Sequence, residues 1–465
     1  MNTKAEAVGT TGEAKLIRGL GLFDSTMIIA GSMIGSGIFI VSADISRTVG
    51  HPWLLIGVWV VSGLMTVLAA LSYGELAAAM PRAGGQYVYL REAFSPLFGF
   101  LYGWTLFTVI QTGTIAAVAV AFGKFLGVFW PWVSSTNVLF SIPLGFAVIN
   151  FTSLVLVGII IIVLLTWVNT QGLRAGATVQ NIFTVCKIGS LLGLVVAGIF
   201  LGRTDNSPAY AQPVHWNLNL LGLFGAAMVG ALFSADAWNN ITFTAGEVTN
   251  PRRNLPLSLA LGTSLVIALY VLANAAYLRT LSFDQIAHAP EDRVGALAFQ
   301  VLFGPVGRSL ISGAILISTF GCINGLILSG ARVYYAMAQD NLFFKKAAEV
   351  EPKHHTPRFS LWIQAIWTCL LTMSGTYNQL LDYVIFAALL FYALTMTGIF
   401  TLRSRRPDME RPYKAFGYPV LTLLYIAAAL AIMLSLLIYK TSFSLRGLLI
   451  VLTGFPVYFL WKRKR

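Results

Sequence analysis

Twelve predominantly apolar runs divide this chain of 465 residues, each at or near the roughly 17 to 20 residues that an α-helix needs to cross a bilayer. They cover about 22–47, 53–79, 95–128, 146–169, 178–201, 218–247, 256–279, 300–337, 359–375, 379–402, 417–439 and 444–461. With 57% hydrophobic and 11% charged residues, the chain carries more apolar surface than a soluble core can hide. The pattern predicts an all-α polytopic membrane protein with 12 transmembrane helices in the lipid bilayer.

The charge sits between the runs. With the polar tail 1–21 placed in the cytoplasm, 22 of the 31 Lys and Arg residues fall in inward loops and tails and 8 in outward loops, while Lys187 lies inside a run. The positive-inside rule therefore predicts a multi-pass protein of the cell membrane (the inner membrane in a bacterium) with both termini cytoplasmic. A net charge of +13 is read as this topology signal, and no nucleic-acid partner is expected. The N-terminal residues lack an apolar stretch followed by a cleavage site, so no cleaved signal peptide is expected. Cys186, Cys322 and Cys369 all lie in apolar runs, which argues against a disulfide framework. Residues 462–465 form a basic tail suited to anionic lipid.

Two runs are interrupted. Gly31-Ser32-Met33-Ile34-Gly35-Ser36-Gly37 puts three glycines and two serines at membrane depth, where they weaken a helix. About 200 residues later, Phe233-Ser234-Ala235-Asp236-Ala237-Trp238-Asn239-Asn240 breaks the sixth run with polar side chains. Unpaired backbone groups cannot face lipid, so a broken spanning helix must line a wet cavity or a ligand site. The new half-helix offers free N–H groups to an anion, and the ended one offers carbonyls to a cation. An amino acid's carboxylate and ammonium match those two poles. The competing reading, close helix packing through Gly31 and Gly35, does not need so many helix-breaking residues together. Each break opens a group of five runs, which predicts two inverted repeats, 22–201 and 218–402, with 417–461 outside them.

These residues resemble the L-type amino acid transporters of the amino acid, polyamine and organocation superfamily. The resemblance is carried by GSMIGSGIF (31–39), VQNIFTVCK (179–187), FSADAWNNITFTAGEVTNPRRNLP (233–256), RSRRPDMERP (403–412) and residues 454–458. It implies a LeuT-like 5+5 inverted repeat with discontinuous helices 1 and 6, and amino acid exchange. By similarity, the N–H groups of Ser36, Gly37 and Ile38 hold the substrate carboxylate. The carbonyls of Met33, Phe233 and Asp236 hold its ammonium. Ile34, Gly35 and Ser234 complete the two breaks, and Val109 and Ile110 line an apolar side-chain pocket. Eukaryotic members carry a cysteine in the loop between helices three and four that ties them to a glycoprotein partner. Residues 129–150 contain none, so no disulfide-linked heavy subunit is expected.

Lys187 lies nine residues past Thr178, roughly 13 Å into the bilayer at ~1.5 Å per residue, too deep for easy snorkelling. A buried ammonium needs carbonyls, hydroxyls or a carboxylate. The resemblance implies that it stands where relatives of this fold hold sodium, between Ile29–Ser32 and Ser318 with Thr319. The competing reading is a lysine lining an aqueous vestibule. Asp236 reads either as a proton carrier or as the N-cap of the resumed helix. Trp238 reads either as a lid over the substrate or as core, and Asn239 on the same turn as a hydrogen-bond partner of substrate.

Glu75, Arg82 and Glu92 sit near helix ends, where gating and interfacial charges look alike. His354 and His355 are too few for a metal site. No paired carboxylates, His cluster or nucleophile motif points to an enzyme, and no cofactor is expected. The expected function is sodium-independent exchange of neutral L-amino acids. A proton-coupled symporter, a cationic amino acid or polyamine exchanger, a channel and a non-transporting sensor stand as the alternatives.

Overall fold

A computed structural model describes residue 16 and residues 18–143, 148–374 and 377–463. In it the first apolar run is two helices, α1 (Leu22–Met33) and α2 (Gly37–Val49), bent by 42° at the three residues between them. The chain continues through α3 (Pro52–Ala79), a short α4 (Gln86–Ala93) and α5 (Pro96–Leu126). Strands β1 (Val138–Pro143) and β2 (Val148–Thr152) precede α6 (Ser153–Thr170) and α7 (Leu173–Leu201). The sixth run is again split, into α8 (Leu218–Ser234) and a single turn, α9 (Asn240–Phe243). Then follow α10 (Pro251–Thr280), α11 (Phe283–Ala287), α12 (Val294–Gln339) and α13 (Arg358–Ser374). The last three are α14 (Tyr377–Arg405), α15 (Val420–Tyr439) and α16 (Thr441–Arg463).

Among the described residues, nine helices are long and apolar enough to cross a membrane, and the bent α1–α2 pair makes a tenth candidate. α8 is apolar but only 17 residues long. Every one of the twelve runs contains helix, because a bilayer leaves the backbone no other open way to satisfy its own polar groups.

Helix starts follow local chemistry. The His51 ring accepts from the Trp53 N–H at 3.2 Å ahead of Pro52, whose missing N–H costs nothing in a first turn. Thr152 and Asn217 cap α6 and α8 by accepting from Val155 and Leu220 at 3.3 and 2.7 Å. α12 is bent where Gly304 takes φ +66°, just ahead of Pro305.

One expectation is corrected. The fourth run starts at about 146 in the hydropathy pattern, but Val148–Thr152 pairs antiparallel with Val138–Pro143, so the chain is not all-α. β-Branched and aromatic residues are frequent here, Ser141 donates to Asn150 at 2.7 Å, and the Thr152 cap delays the helix to Ser153.

Candidate functional site

Ending α1 at Met33 leaves carbonyls without their usual partner four residues on, and each finds one elsewhere. The Lys187 ammonium donates to Gly31 O at 2.6 Å and to Ile34 O at 2.9 Å. The Cys322 thiol reaches Ser32 O at 3.0 Å, and the Tyr270 hydroxyl donates to Met33 O at 2.9 Å. Ser318 donates to Ile34 O at 3.0 Å and lies 3.3 Å from Gly35 O. So α7, α10 and α12 together supply the donors that an intact helix would have supplied itself. Thr319 is not part of this set: its hydroxyl bonds Ile315 and Leu316 of its own helix.

The second break lies against the first. A methyl group on Gly37 would stand 2.2 Å from Ser234 Oγ, 2.8 Å from its Cβ and 3.0 Å from its Cα. Only glycine fits so close an approach. Ser234 O lies 3.0 Å from the same Tyr270 hydroxyl, so its one proton is shared between the carbonyl ends of both interrupted helices. Gly37 and Ile38 open α2, in the turn where a helix offers its own N–H groups no acceptor. Phe233 O already accepts from the Asp236 N–H at 3.1 Å.

A cavity lies where the breaks meet, walled by Met33, Gly35, Ser36, Gly37, Phe233, Ser234 and Asp236 with Ser32, Thr114, Val118, Ala237 and Cys322. Two further cavities adjoin it at Asp236. The first is lined by Gln86, Leu106, Ile110, Gln111, Asn239, Asn240 and Tyr392, the second by Thr66, Leu232, Trp238, Ile385 and Tyr425. Of the sequence-predicted residues, Ile110 and Asn239 face the first of these and Trp238 the second. Val109 is buried beside Ile110 without lining any of the three. Both belong to Leu106–Ile110, a π-helical turn of α5, a distortion common at functional sites.

Asp236 does not cap α9, whose N-cap position is Asn239 and has no side-chain cap bond. Its carboxylate instead accepts the Tyr392 hydroxyl at 2.5 Å, with Asn239 Oδ1 3.5 Å from the same oxygen. Asn239 donates to Gln86 at 3.0 Å, and Gln86 to Thr395 at 3.0 Å. Trp238 packs edge-to-face on Tyr73 at 4.7 Å and lies 5.4 Å from Tyr392. Sequence reasoning missed Tyr270, Cys322, Tyr392 and Gln86. Their one signal is a polar group in an apolar run that needs a buried partner, and too many of the 17 tyrosines share it.

Both ends of the site are closed. On one face, Gly19 and Leu20 donate to Glu247 O at 2.8 and 3.0 Å, and Thr249 N–H donates back to Leu20 O at 2.9 Å. The Glu247 side chain pairs with Arg332 at 3.0 Å, both about 1% exposed. On the opposite face, Arg47 of α2 donates to Ala287 O and to Asp292, each at 2.7 Å. Met33, Ser36, Phe233, Ser234 and Asp236 are all less than a tenth exposed.

A family model described as amino acid permease matches residues 20–460. The serine/threonine exchanger SteT of Bacillus subtilis is 29% identical over 96% of this chain and 97% of its own. The large neutral amino acids transporter small subunit 2 of Mus musculus is 32% identical over 99% of this chain and 85% of its own. The b(0,+)-type amino acid transporter 1 of Mus musculus is 28% identical over 95% and 87%. These are membrane transporters and not enzymes. A chain matched along nearly its whole length, with two broken helices meeting over a closed cavity, belongs to the amino acid permease family, as an L-type member of the amino acid, polyamine and organocation superfamily.

Proposed function

We propose that this chain is a sodium-independent antiporter of neutral L-amino acids, working by alternating access through twelve helices arranged as two inverted repeats of five plus two. The N–H groups of Ser36, Gly37 and Ile38 take the substrate carboxylate. The carbonyls of Met33, Phe233 and Asp236 take the ammonium. Closing contacts at both faces support a carrier that opens to one side at a time. The N-terminus and C-terminus lie in the cytoplasm of the cell, and the chain works without a disulfide-linked subunit.

The observation that carries the sodium-independent part is the buried Lys187 ammonium on Gly31 O and Ile34 O, next to the Ser318 hydroxyl. A fixed positive charge on the carbonyls of the first break does what a bound cation would do there. The cavity between the breaks has one carboxylate and otherwise small or apolar walls, which suits a neutral side chain. Two of the relatives are named for neutral substrates, serine/threonine and large neutral amino acids.

The test is counterflow into preloaded proteoliposomes with the twenty amino acids, in sodium buffer and in N-methylglucamine buffer. Neutral amino acids should exchange equally fast in both. Sodium-dependent uptake, or net efflux into amino-acid-free buffer as fast as exchange, overturns the reading.

A second reading, proton-coupled symport, draws support from the buried Asp236 carboxylate on Tyr392. It requires uptake driven by an imposed pH gradient that is lost in Asp236→Asn.

A further inference from the structure

A cavity larger than the three at the breaks lies elsewhere among the described residues. It is a groove of about 930 Å³ where the end of α16 meets the turn after α12, lined by Asn341, Phe343, Phe344, Lys345, Leu460 and Trp461 with Val457. That is near the upper end of small-molecule pockets, roughly 1,000 Å³. Its floor is aromatic: Trp461 stacks on Phe343 at 6.3 Å and meets Phe344 edge-on at 5.2 Å. Leu460 and Phe344 remain 63% and 45% exposed, an apolar surface at the ends of two spanning helices. Lys345 lines it, and Lys346 and Lys462 directly follow lining residues in the chain; all three are exposed, their ammonium groups make no hydrogen bond or ion pair among the described residues, and Glu349 is the acidic side chain nearest in sequence.

From this the geometry points to a binding site for one anionic phospholipid. Its acyl chains lie against Leu460, Phe344 and Trp461, and its phosphate is held by Lys345, Lys346 and Lys462. The occupant must be apolar at one end and anionic at the other, and the membrane in which α12 and α16 end is made of such molecules. The groove also touches the transport machinery. Phe343 packs edge-on against Phe107 at 5.4 Å, and Phe107 belongs to the π-helical turn whose Leu106 and Ile110 line a cavity beside the breaks. A lipid that orders Trp461 and Phe343 therefore steadies that turn, so exchange depends on anionic lipid. This second step rests on the proposed transport activity, whereas the binding step does not.

The experiment has two arms. Native mass spectrometry counts phosphatidylglycerol against phosphatidylcholine retained by the full chain and by the Lys345→Gln/Lys346→Gln/Lys462→Gln variant, with Lys353→Gln as a control away from the groove. Retention of phosphatidylglycerol should fall roughly fivefold for each lysine removed and stay unchanged in the control. Equal retention of the two lipids by the parent chain, an undiminished triple variant, or an equal loss in Lys353→Gln overturns the site. Counterflow in vesicles with and without phosphatidylglycerol should differ severalfold for the parent and not for the triple variant. A parent rate indifferent to the lipid overturns the link to the breaks while leaving the binding result to stand or fall on the first arm.

Discussion

Gly37 and Ser234, 197 positions apart in the chain, lie so close that a Cβ on the glycine would stand 3.0 Å from the serine's Cα. Ser234 Oγ can rotate away from such a methyl, but its backbone cannot. In an ordinary helix start, Gly37→Ala would stabilise by up to about 1 kcal/mol. The expected result is the reverse: a lower melting temperature and a loss of exchange of about tenfold or more, unrelieved by adding Ser234→Ala. Thermal melting in detergent with counterflow in liposomes checks it.

Lys187→Met removes two donors at once from the first break. Ile34 O keeps the Ser318 hydroxyl, but Gly31 O is left bare in a buried site at a cost of about 1–3 kcal/mol, so exchange should fall at least about tenfold and the protein should melt earlier. Lys187→Arg should not rescue, since a planar fork does not reproduce one ammonium between Gly31 O and Ile34 O. If Lys187→Gln exchanges normally, the lysine has no such role.

Tyr270→Phe keeps the ring on Trp59, 5.5 Å away and edge-on, but loses the hydroxyl shared by Met33 O and Ser234 O. One hydroxyl proton shared between the two carbonyls, worth about 0.5–1.5 kcal/mol, holds the breaks in register. Substrate affinity should weaken roughly fivefold or more while the fold survives, measured by scintillation-proximity binding and by melting.

Arg332→Ala leaves Glu247 charged and buried, which should destabilise by about 3–5 kcal/mol. Replacing both by leucine should recover most of that loss. A double-mutant cycle on melting temperature reads the difference, and additive single effects would show that the pair is not coupled.

How much of this was legible in the sequence depends on range. The breaks were visible because glycine, serine and asparagine inside apolar runs are a local signal, and Lys187 because a charge at that depth is conspicuous. That the two breaks touch at Gly37 and Ser234 is a matter of packing across nearly 200 residues, which no local pattern carries. Tyr270 and Tyr392 were illegible for the same reason, since a membrane tyrosine shows its partner only once the helices are assembled. Asp236 looked like a cap because it precedes a resumed helix. The structure turns its carboxylate to Tyr392 instead, a long-range hydrogen bond outweighing a local propensity. The hairpin at Val138–Thr152 was hidden by its own apolar character, which hydropathy cannot tell from the start of a helix.

The short pairing of Leu20 with Val248 ties the two halves of this seal together. Drawing α1 aside must peel a two-residue ribbon off the segment that follows the second break, and the same tug pulls on Glu247, hence on Arg332 of α12. Gly19 and Leu20 thus act as a latch string, and whatever pulls on them pulls on the second break as well.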